Sequence, residues 1–241
     1  MEIDNYITDS PVLFITFNRI EQTKKVFESI KRAKPKKLYI ASDGPRNDVK
    51  DEKKKVLFIR NYLQDNISWD CDLKTLYKEH NTGCKKAVSS AINWFFSKES
   101  QGIILEDDCL PSSSFFRFCD ELLERYKNDL RIWNIGGYKP LKIQVNSASY
   151  EFSEFSHIWG WASWADRWDK FDLNIPKLEE FSKQKRKIFT INRINLQRME
   201  ELKNLNEWGN QWNFCIRSNN GLSIRPHKNL VHNIGYGEGG T

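Results

Sequence analysis

Three consecutive carboxylates at the end of a short apolar run are the side chains of this sequence best suited to chemistry. The run Gly102–Leu105 is followed directly by Glu106, Asp107 and Asp108. An apolar run of this length that begins at a glycine is typical of a buried strand. Three adjacent acids repel one another unless a cation lies close, and a hard divalent cation together with phosphate groups suits such oxygen ligands. The alternative is a solvated acidic turn that opens the following helix.

Patterns typical of strands and helices alternate through the first half of the chain. Predicted strands cover 12–17, 37–42, 71–77 and the run that ends in the three acids. Predicted helices cover 21–33, 51–66, 84–97 and a segment from Ser112 or Ser113 to Tyr126. Such repeated units predict an α/β fold with a mostly parallel sheet and helices on both faces. Ligands bind these sheets outside the carboxyl ends of the strands, where the three acids are expected.

The alternation weakens in the second half of the chain. Arg131–Gly137 and Leu222–Pro226 are predicted strands, and Pro176–Leu205 is predicted to be mainly helical. We interpret residues 1–241 as a single domain. Residues from 1 to about 130 would form its nucleotide-binding half, and residues from about 131 to 241 its acceptor-binding half.

Composition narrows the class of protein. The 5 cysteines show no Cys-x-x-Cys spacing, so we expect reduced thiols in a cytoplasmic protein and no zinc centre. No stretch approaches the roughly 20 apolar residues of a membrane-spanning helix, and the first residues lack the pattern of a signal peptide.

The net charge of +6 reflects a mild excess of 38 basic over 32 acidic residues. No nucleic-acid-binding motif accompanies that excess, so nucleic acid is not an expected partner. The basic clusters Lys31–Lys37 and Lys183–Lys187 are interpreted as solvated helix faces. Peripheral contact with anionic lipid at the inner face of the membrane is the alternative.

Six segments in chain order resemble the GT-A glycosyltransferases, in particular N-acetylglucosaminyltransferase I and the small, haemolysin-activation-like bacterial transferases related to it. They are Pro11–Arg19, Ser42–Gly44, Asn81–Gly83, Leu105–Pro111, Trp159–Trp164 and Arg225–Gly237. Each segment alone is weakly specific, but together they extend over nearly the whole chain. The resemblance implies a GT-A (Rossmann-like) fold that binds a nucleotide-sugar donor, in most cases UDP-linked, and a glycan or lipid-linked glycan acceptor.

The resemblance also implies a role for each of the three acids. Asp108 matches the ligand of Mn²⁺ or Mg²⁺, a metal that stabilises the diphosphate leaving group. Glu106 matches the acid near the ribose or the sugar, and Asp107 matches a contact to the donor sugar.

Two further strand ends match nucleotide-binding positions of the family. Arg19 resembles its arginine near the nucleotide. Asp43, beside Gly44, resembles the acid that accepts a hydrogen bond from the uracil imide. The alternative for Arg19 and Asp43 is a mutual salt bridge between neighbouring strand ends.

An aromatic segment, 159–168, is the second dense feature of the sequence. Its indoles at 161, 164 and 168 are three and four residues apart, a spacing that predicts one face of a helix. A glycine between two tryptophans indicates a close approach of the backbone to a ligand. The residues predicted to contact the sugar are therefore Trp159, Gly160 and Trp161, while the remaining rings belong to the core. A wholly buried aromatic stripe is the alternative.

An inverting transferase needs a general base for the acceptor hydroxyl. The resemblance places the aspartate of the family at Gly209, which carries no carboxylate. Glu207 is the first candidate for this role, with Asp166 and Glu154 in reserve, and an exposed acid at a helix start is the alternative for Glu207. His157 is interpreted as a structural histidine.

The C-terminal segment departs from the family pattern as well. Relatives continue into a histidine-containing segment that closes over the donor, whereas this sequence stops after Gly239, Gly240 and Thr241. His232 is the predicted substitute near the phosphates.

The sequence thus predicts a metal-dependent, inverting glycosyltransferase that acts in the assembly of a surface polysaccharide or glycoprotein glycan. A carbohydrate-binding protein that has lost catalysis is one alternative, because of Gly209. A sugar-nucleotide pyrophosphorylase is another, although the sequence lacks the early Gly-rich, basic phosphate loop expected there.

Overall fold

The predicted alternation of strands and helices forms one large sheet with helices packed on it. A computed structural model describes residues 6–139, 148–174 and 208–235. The strands are β1 (Val12–Thr16), β2 (Lys37–Ser42), β3 (Asp72–Tyr77), β4 (Gln101–Glu106), β5 (Cys109–Pro111), β6 (Ile132–Gly136), β7 (Tyr150–Ser153), β8 (Trp161–Trp164), β9 (Leu222–Pro226) and β10 (Val231–Asn233). The helices are α1 (Ile20–Ala33), α2 (Glu52–Asp65), α3 (Cys84–Phe96), α4 (Ser113–Tyr126), α5 (Ala165–Trp168) and α6 (Gly209–Ser218).

Eight of the strands share one sheet, in the order β3-β2-β1-β4-β8-β6-β9-β7. The pairings β1–β2, β2–β3, β1–β4 and β6–β9 are parallel, and β4–β8, β6–β8 and β7–β9 are antiparallel. β5 and β10 form a separate antiparallel ribbon. The prediction of an α/β, Rossmann-like and mostly parallel sheet is confirmed.

Both faces of the sheet are covered by helices. Val12 and Phe14 of β1 belong to a buried cluster with residues of α1, α2 and α4, whereas Leu13 and Ile15 belong to a second cluster with residues of α3 and α6. Side chains of a strand point alternately to its two faces. A strand buried on both faces therefore reads as a continuous apolar run, as β1 and β4 do.

The helix predicted across the aromatic segment is wrong over most of its length. Residues 161–164 form β8, which pairs with β4 and β6, and only the single turn α5 follows. An odd separation in a strand places two side chains on opposite faces. Trp161 accordingly packs in the cluster with α3 and α6, and Trp164 in the cluster with α4.

The predicted helical region Pro176–Leu205 lies outside the described residues, as do Lys183–Lys187 and the residues after Gly235. Among the residues that the structure does describe, no helix combines the length and the apolar character needed to cross a bilayer.

The parallel register brings three strand ends to one edge of the sheet. Ile15 of β1 lies beside Glu106 of β4, and Thr16 lies beside Ser42 of β2. The residues that directly follow these strands therefore converge. They are Phe17, Asn18 and Arg19 after β1, Asp43 after β2, and Asp107 and Asp108 after β4.

Candidate active site

One arginine lies against the acids that end β4. Arg19 Nη1 lies 3.2 Å from Asp107 Oδ1 and 3.0 Å from Asp108 Oδ2. The backbone N–H of Phe17 also donates to Asp107, at 3.1 Å. Arg19, at the start of α1, thus supplies part of the positive charge that three adjacent acids require. The alternative of an Arg19–Asp43 salt bridge is wrong, because Arg19 pairs with these two aspartates.

Arg19 does not fully compensate the negative charge of the three acids. Burial, followed by the charges of Asp108 and Asp107, raises the pKa of Glu106 to about 8. Burial is also the main cause that raises the pKa of Asp107 to about 6, although Arg19 acts in the opposite direction. A further cation at this edge would stabilise the ionised carboxylates.

Asp43 is held at the end of β2 by the loop that precedes α3. Its carboxylate accepts hydrogen bonds from the backbone N–H of Thr82, at 2.9 Å, and from the Thr82 hydroxyl, at 3.0 Å. A Cβ on Gly44 would lie 2.4 Å from the backbone of His80, so only glycine fits this contact. Gly44 therefore packs the Asp43 turn against the 80–82 loop. It does not line the cavity described next.

A cavity of about 350 Å³, here the first cavity, lies between Asp43 and the acids. Its apolar wall consists of Ile15, Ala41, Leu76, Ala87, Val88 and Ala91. Asp43 lies among its polar lining residues, as do Arg19, Glu106 and Asp107. An apolar pocket of a few hundred Å³ with a small number of placed polar groups is typical of small-ligand and cofactor sites.

A buried carboxylate supports two residues of this cavity that the sequence did not single out. Glu52 of α2 is only 1% exposed and accepts hydrogen bonds from Asn18 Nδ2, at 2.7 Å, and from Arg46 Nη2, at 2.6 Å. The hydrogen bonds from Arg46 are the main cause that lowers the pKa of Glu52. Asn18 and Arg46 both line the first cavity. In the sequence, only their positions could have indicated a role at the site: Asn18 precedes Arg19, and Arg46 lies in the turn after Asp43.

A second cavity, of about 550 Å³, lies on the other side of Arg19. It shares Arg19, Cys84 and Glu106 with the first cavity. Asp108 lines the second cavity but not the first. Its remaining lining residues are Tyr138, Ser156, His157, Ile158, Trp159, Trp208, Gly209, Asn210, Asn213, Asn233 and Gly235. The three acids thus stand where the two cavities meet.

Of the three residues of the aromatic segment that were predicted to contact the sugar, only Trp159 lines either cavity. Trp159 is partly buried at the second cavity, and its ring centre lies 4.4 Å from that of Tyr138. Trp161 is 0% exposed within the core, so its prediction as a stacking surface is wrong. Gly160 has a φ of +62°, and a Cβ there would lie 2.7 Å from a methyl of Val231. Gly160 is therefore packed against Val231, which contradicts the prediction that its backbone approaches a ligand.

The candidate bases and His232 lie away from both cavities where they are described. The exposed Asp166 pairs with Arg167 at 2.7 Å and faces neither cavity. Glu154 and His232 are also exposed and line neither cavity. Glu207 lies outside the described residues. Gly209 lines the second cavity, but a Cβ there would lie 2.4 Å from Ile158 Cδ1.

Asp108 carries the oxygen chemistry that a hard cation needs. Its side chain is 16% exposed, and its backbone carbonyl accepts a hydrogen bond from Ile234 N–H at 2.8 Å. Among the described residues, no group of three His, Cys, Asp or Glu side chains is arranged to ligate a metal. A metal at Asp108 would therefore take its other ligands from phosphate oxygens and water, as Mg²⁺ commonly does.

Comparison with known proteins gives only distant likenesses to solved structures. No protein-family model matches the chain, and no curated protein matches it. Among solved structures, apo UDP-glucose pyrophosphorylase is 8% identical, with 93% of each chain covered and a TM-score of 0.45. The apo form of mouse xyloside xylosyltransferase 1 is 10% identical, with 86% of this chain and 81% of that chain covered and a TM-score of 0.43. A cytidylyltransferase from Leptospira borgpetersenii is 10% identical, with 74% of each chain covered and a TM-score of 0.40. The α/β fold rests on the strand order and pairing described above, and any activity must be argued from the site.

The two partners of the Arg46–Glu52 ion pair should respond unequally to substitution. Arg46→Met leaves the buried Glu52 carboxylate without its main partner, whereas Glu52→Gln leaves Arg46 free to hydrate, since that side chain is 48% exposed. We expect Arg46→Met to lower the free energy of unfolding at pH 7 by roughly 1–3 kcal/mol, and Glu52→Gln to cost less. Urea unfolding of both variants measures the difference.

This pair also predicts a pH dependence of stability. The pKa of Glu52 is lowered by folding, so its contribution is complete above the ordinary glutamate range and is lost as the pH falls through the lower folded-state pKa. The stability difference between the parent and Arg46→Met should therefore shrink below about pH 4. A difference that stays constant down to pH 3 would contradict the assignment.

Proposed function

We propose that this protein is a glycosyltransferase of the GT-A type that moves a sugar from a UDP-sugar to a glycan or lipid-linked glycan acceptor. The observation that carries the proposal is the meeting of two cavities at Arg19 and Glu106, with Asp108 on the second cavity. One cavity suits a nucleoside and the other suits a sugar, so the diphosphate between them would lie against the arginine. Transfer from a nucleotide-sugar needs this arrangement, because the bond that breaks joins the sugar to the diphosphate.

The first cavity has the features of a uridine site. Its apolar wall can pack against a flat base, and Asp43 is one of its polar lining residues. An ionised carboxylate has about four lone-pair positions. Thr82 uses part of this capacity with two donors: its N–H is shared between both carboxylate oxygens, and its hydroxyl donates to Oδ1. A position that these contacts leave open can accept the imide N–H of uracil.

The second cavity has the features of a sugar site. The faces of Trp159 and Tyr138 offer the apolar surfaces on which sugar rings stack. Asn233 lines the same cavity, and while its Oδ1 accepts from Gly235 N–H, its side-chain NH₂ can donate to a sugar hydroxyl.

Asp108 would hold Mn²⁺ or Mg²⁺ at the junction. When bound, this ion would neutralise the negative charge that develops on the departing diphosphate. Arg19 then has two roles in the protein itself: it pairs with Asp107 and Asp108, and it lines both cavities within reach of a bridging diphosphate. The position of the acceptor opposite the leaving group would make the transfer inverting, with a base on the far side of the sugar.

The metal assignment predicts a specific loss in one variant. Asp108→Asn removes the charged ligand at a partly exposed position, so the fold should persist while UDP binding no longer responds to Mn²⁺. We expect the Mn²⁺-dependent gain in UDP affinity to fall by at least about tenfold, the lower end of what even outer-shell changes cost. Calorimetry with UDP, with and without Mn²⁺, measures this gain. Asp51→Asn, at an exposed position outside both cavities, is the matched control.

Three outcomes separate the proposal from other activities. An Asp108→Asn protein that binds UDP and Mn²⁺ like the parent would contradict the metal assignment. A parent that binds sugars but releases UDP from no donor would be a carbohydrate-binding protein, and one that consumes a nucleoside triphosphate would be a pyrophosphorylase.

The uridine assignment predicts nucleotide selectivity. Cytidine has no proton at the ring nitrogen that Asp43 would bind, so CDP would leave a buried acceptor position unpaired. Such a loss costs roughly 1–3 kcal/mol, which corresponds to about a tenfold to hundredfold preference for UDP. Calorimetric titration with both nucleotides measures the ratio, and equal affinities would refute the role of Asp43.

A further inference from the structure

We propose that His157 is the general base that takes the proton of the acceptor hydroxyl. This inference rests on the glycosyltransferase proposed above and names the residue that completes its second cavity. The imidazole lines that cavity together with Glu106 and Asp108, on the segment between β7 and β8.

The His157 ring is held in place by aromatic packing. Its ring meets that of Tyr138 edge to face, with centres 5.4 Å apart and planes at 81°. Tyr138 in turn packs on Trp159, with centres 4.4 Å apart. Among the described residues, none forms a hydrogen bond with either nitrogen of His157. A ring that is fixed by its faces and edges but has no polar partner can bind a hydroxyl group in a defined direction.

The other titratable groups of the cavity are less suited to this role. Glu106 and Asp108 lie at the Arg19 side, where the diphosphate would leave, and an inverting base must lie on the opposite side of the sugar. Gly209 carries no side chain, and an aspartate there would have to displace Ile158. Of the carboxylates considered from the sequence, only Glu207, outside the described residues, remains as a competitor. It is therefore tested directly below.

The charges around His157 favour its neutral form. Burial, and then the positive charge of Arg225 on β9, lower the pKa of His157 below its ordinary value of 6.5. The other charged or titratable groups on the same cavity are Arg19, Cys84, Glu106, Asp108 and Tyr138. A neutral imidazole at pH 7 has one unprotonated nitrogen that can accept a proton.

The step that follows is balanced. The acceptor oxygen forms a bond to the anomeric carbon while the bond from that carbon to the diphosphate oxygen breaks, and the electron pair leaves with UDP. The hydroxyl proton passes to the unprotonated nitrogen of His157, and the imidazolium later returns it to water. When water replaces the glycan as acceptor, the products are the free sugar and UDP.

Donor hydrolysis tests the proposal without knowledge of the glycan. UDP release from UDP-glucose, UDP-galactose and UDP-N-acetylglucosamine is measured with Mn²⁺ between pH 5 and pH 9. In the parent, kcat/KM should rise with pH through a pKa below 6.5 and then level off. His157→Gln should lower turnover by about a hundredfold to ten-thousandfold and remove this rise, while UDP affinity stays unchanged. His80→Gln, which replaces an exposed imidazole outside both cavities, and Glu207→Gln should both behave like the parent.

The outcomes separate this inference from the function on which it rests. A His157→Gln protein that keeps the rate and the pH profile, or a Glu207→Gln protein that loses both, overturns the role of His157 and leaves the transferase standing. A parent that binds UDP with Mn²⁺ but hydrolyses no donor also overturns the role of His157. A parent that binds no UDP overturns the proposed function itself. If His157→Gln binds no UDP, His157→Ala with added imidazole replaces it: restored turnover supports the role, and failure to restore it overturns the role.

Discussion

The repulsion among Glu106, Asp107 and Asp108 at the end of β4 is the constraint that organises this edge of the sheet. The three carboxylates are adjacent in sequence and folding buries them, and this burial is the main cause that raises the pKa values of Glu106 and Asp107. Arg19 offsets part of this charge, and the N–H of Phe17 offsets another part. The acids therefore fix the turn from β1 into α1, and with it one wall of each cavity.

The sheet changes direction at the same strand. β4 is parallel to β1 on one side and antiparallel to β8 on the other. The parallel side carries the first cavity, with its apolar wall from β1, β2, β3 and α3. The antiparallel side carries the second cavity, with its aromatic rings from the segments that precede β7 and β8. One row of acids thus stands between the two cavities, which the proposed reaction assigns to the nucleobase and to the sugar.

The sequence predicted the first half of the fold well, because its signals there are local. Continuous apolar runs identified β1, β2 and β4, and apolar residues at helical spacing identified α1, α2 and α3 within a few residues of their observed bounds. It failed at the aromatic segment because spacings of three and four in a short run do not separate a helix from a strand. Residues 161–164 form a strand because their backbone pairs with β4 and β6. Pairing between segments so far apart in sequence leaves no local pattern.

The sequence predicted some residues of the candidate site and not others. The acids and Arg19 follow apolar runs, so their convergence could be inferred from strand ends. The hydrogen bonds of Glu52 with Asn18 and Arg46 could not be inferred from the sequence. A single glutamate on a highly charged helix looks the same in sequence whether it is buried or solvated. The contact of His157 with the second cavity depends on chain segments far apart in sequence. No local pattern indicates this position, so the sequence alone favoured a structural role for His157.

The most direct measurement of the central claim is a crystal structure of the protein with UDP and Mn²⁺, in which the anomalous signal of manganese locates the metal. The account predicts uracil beside Asp43 in the first cavity, the diphosphate against Arg19, and manganese on the Asp108 carboxylate. Uridine bound outside the first cavity, or manganese away from Asp108, would contradict it.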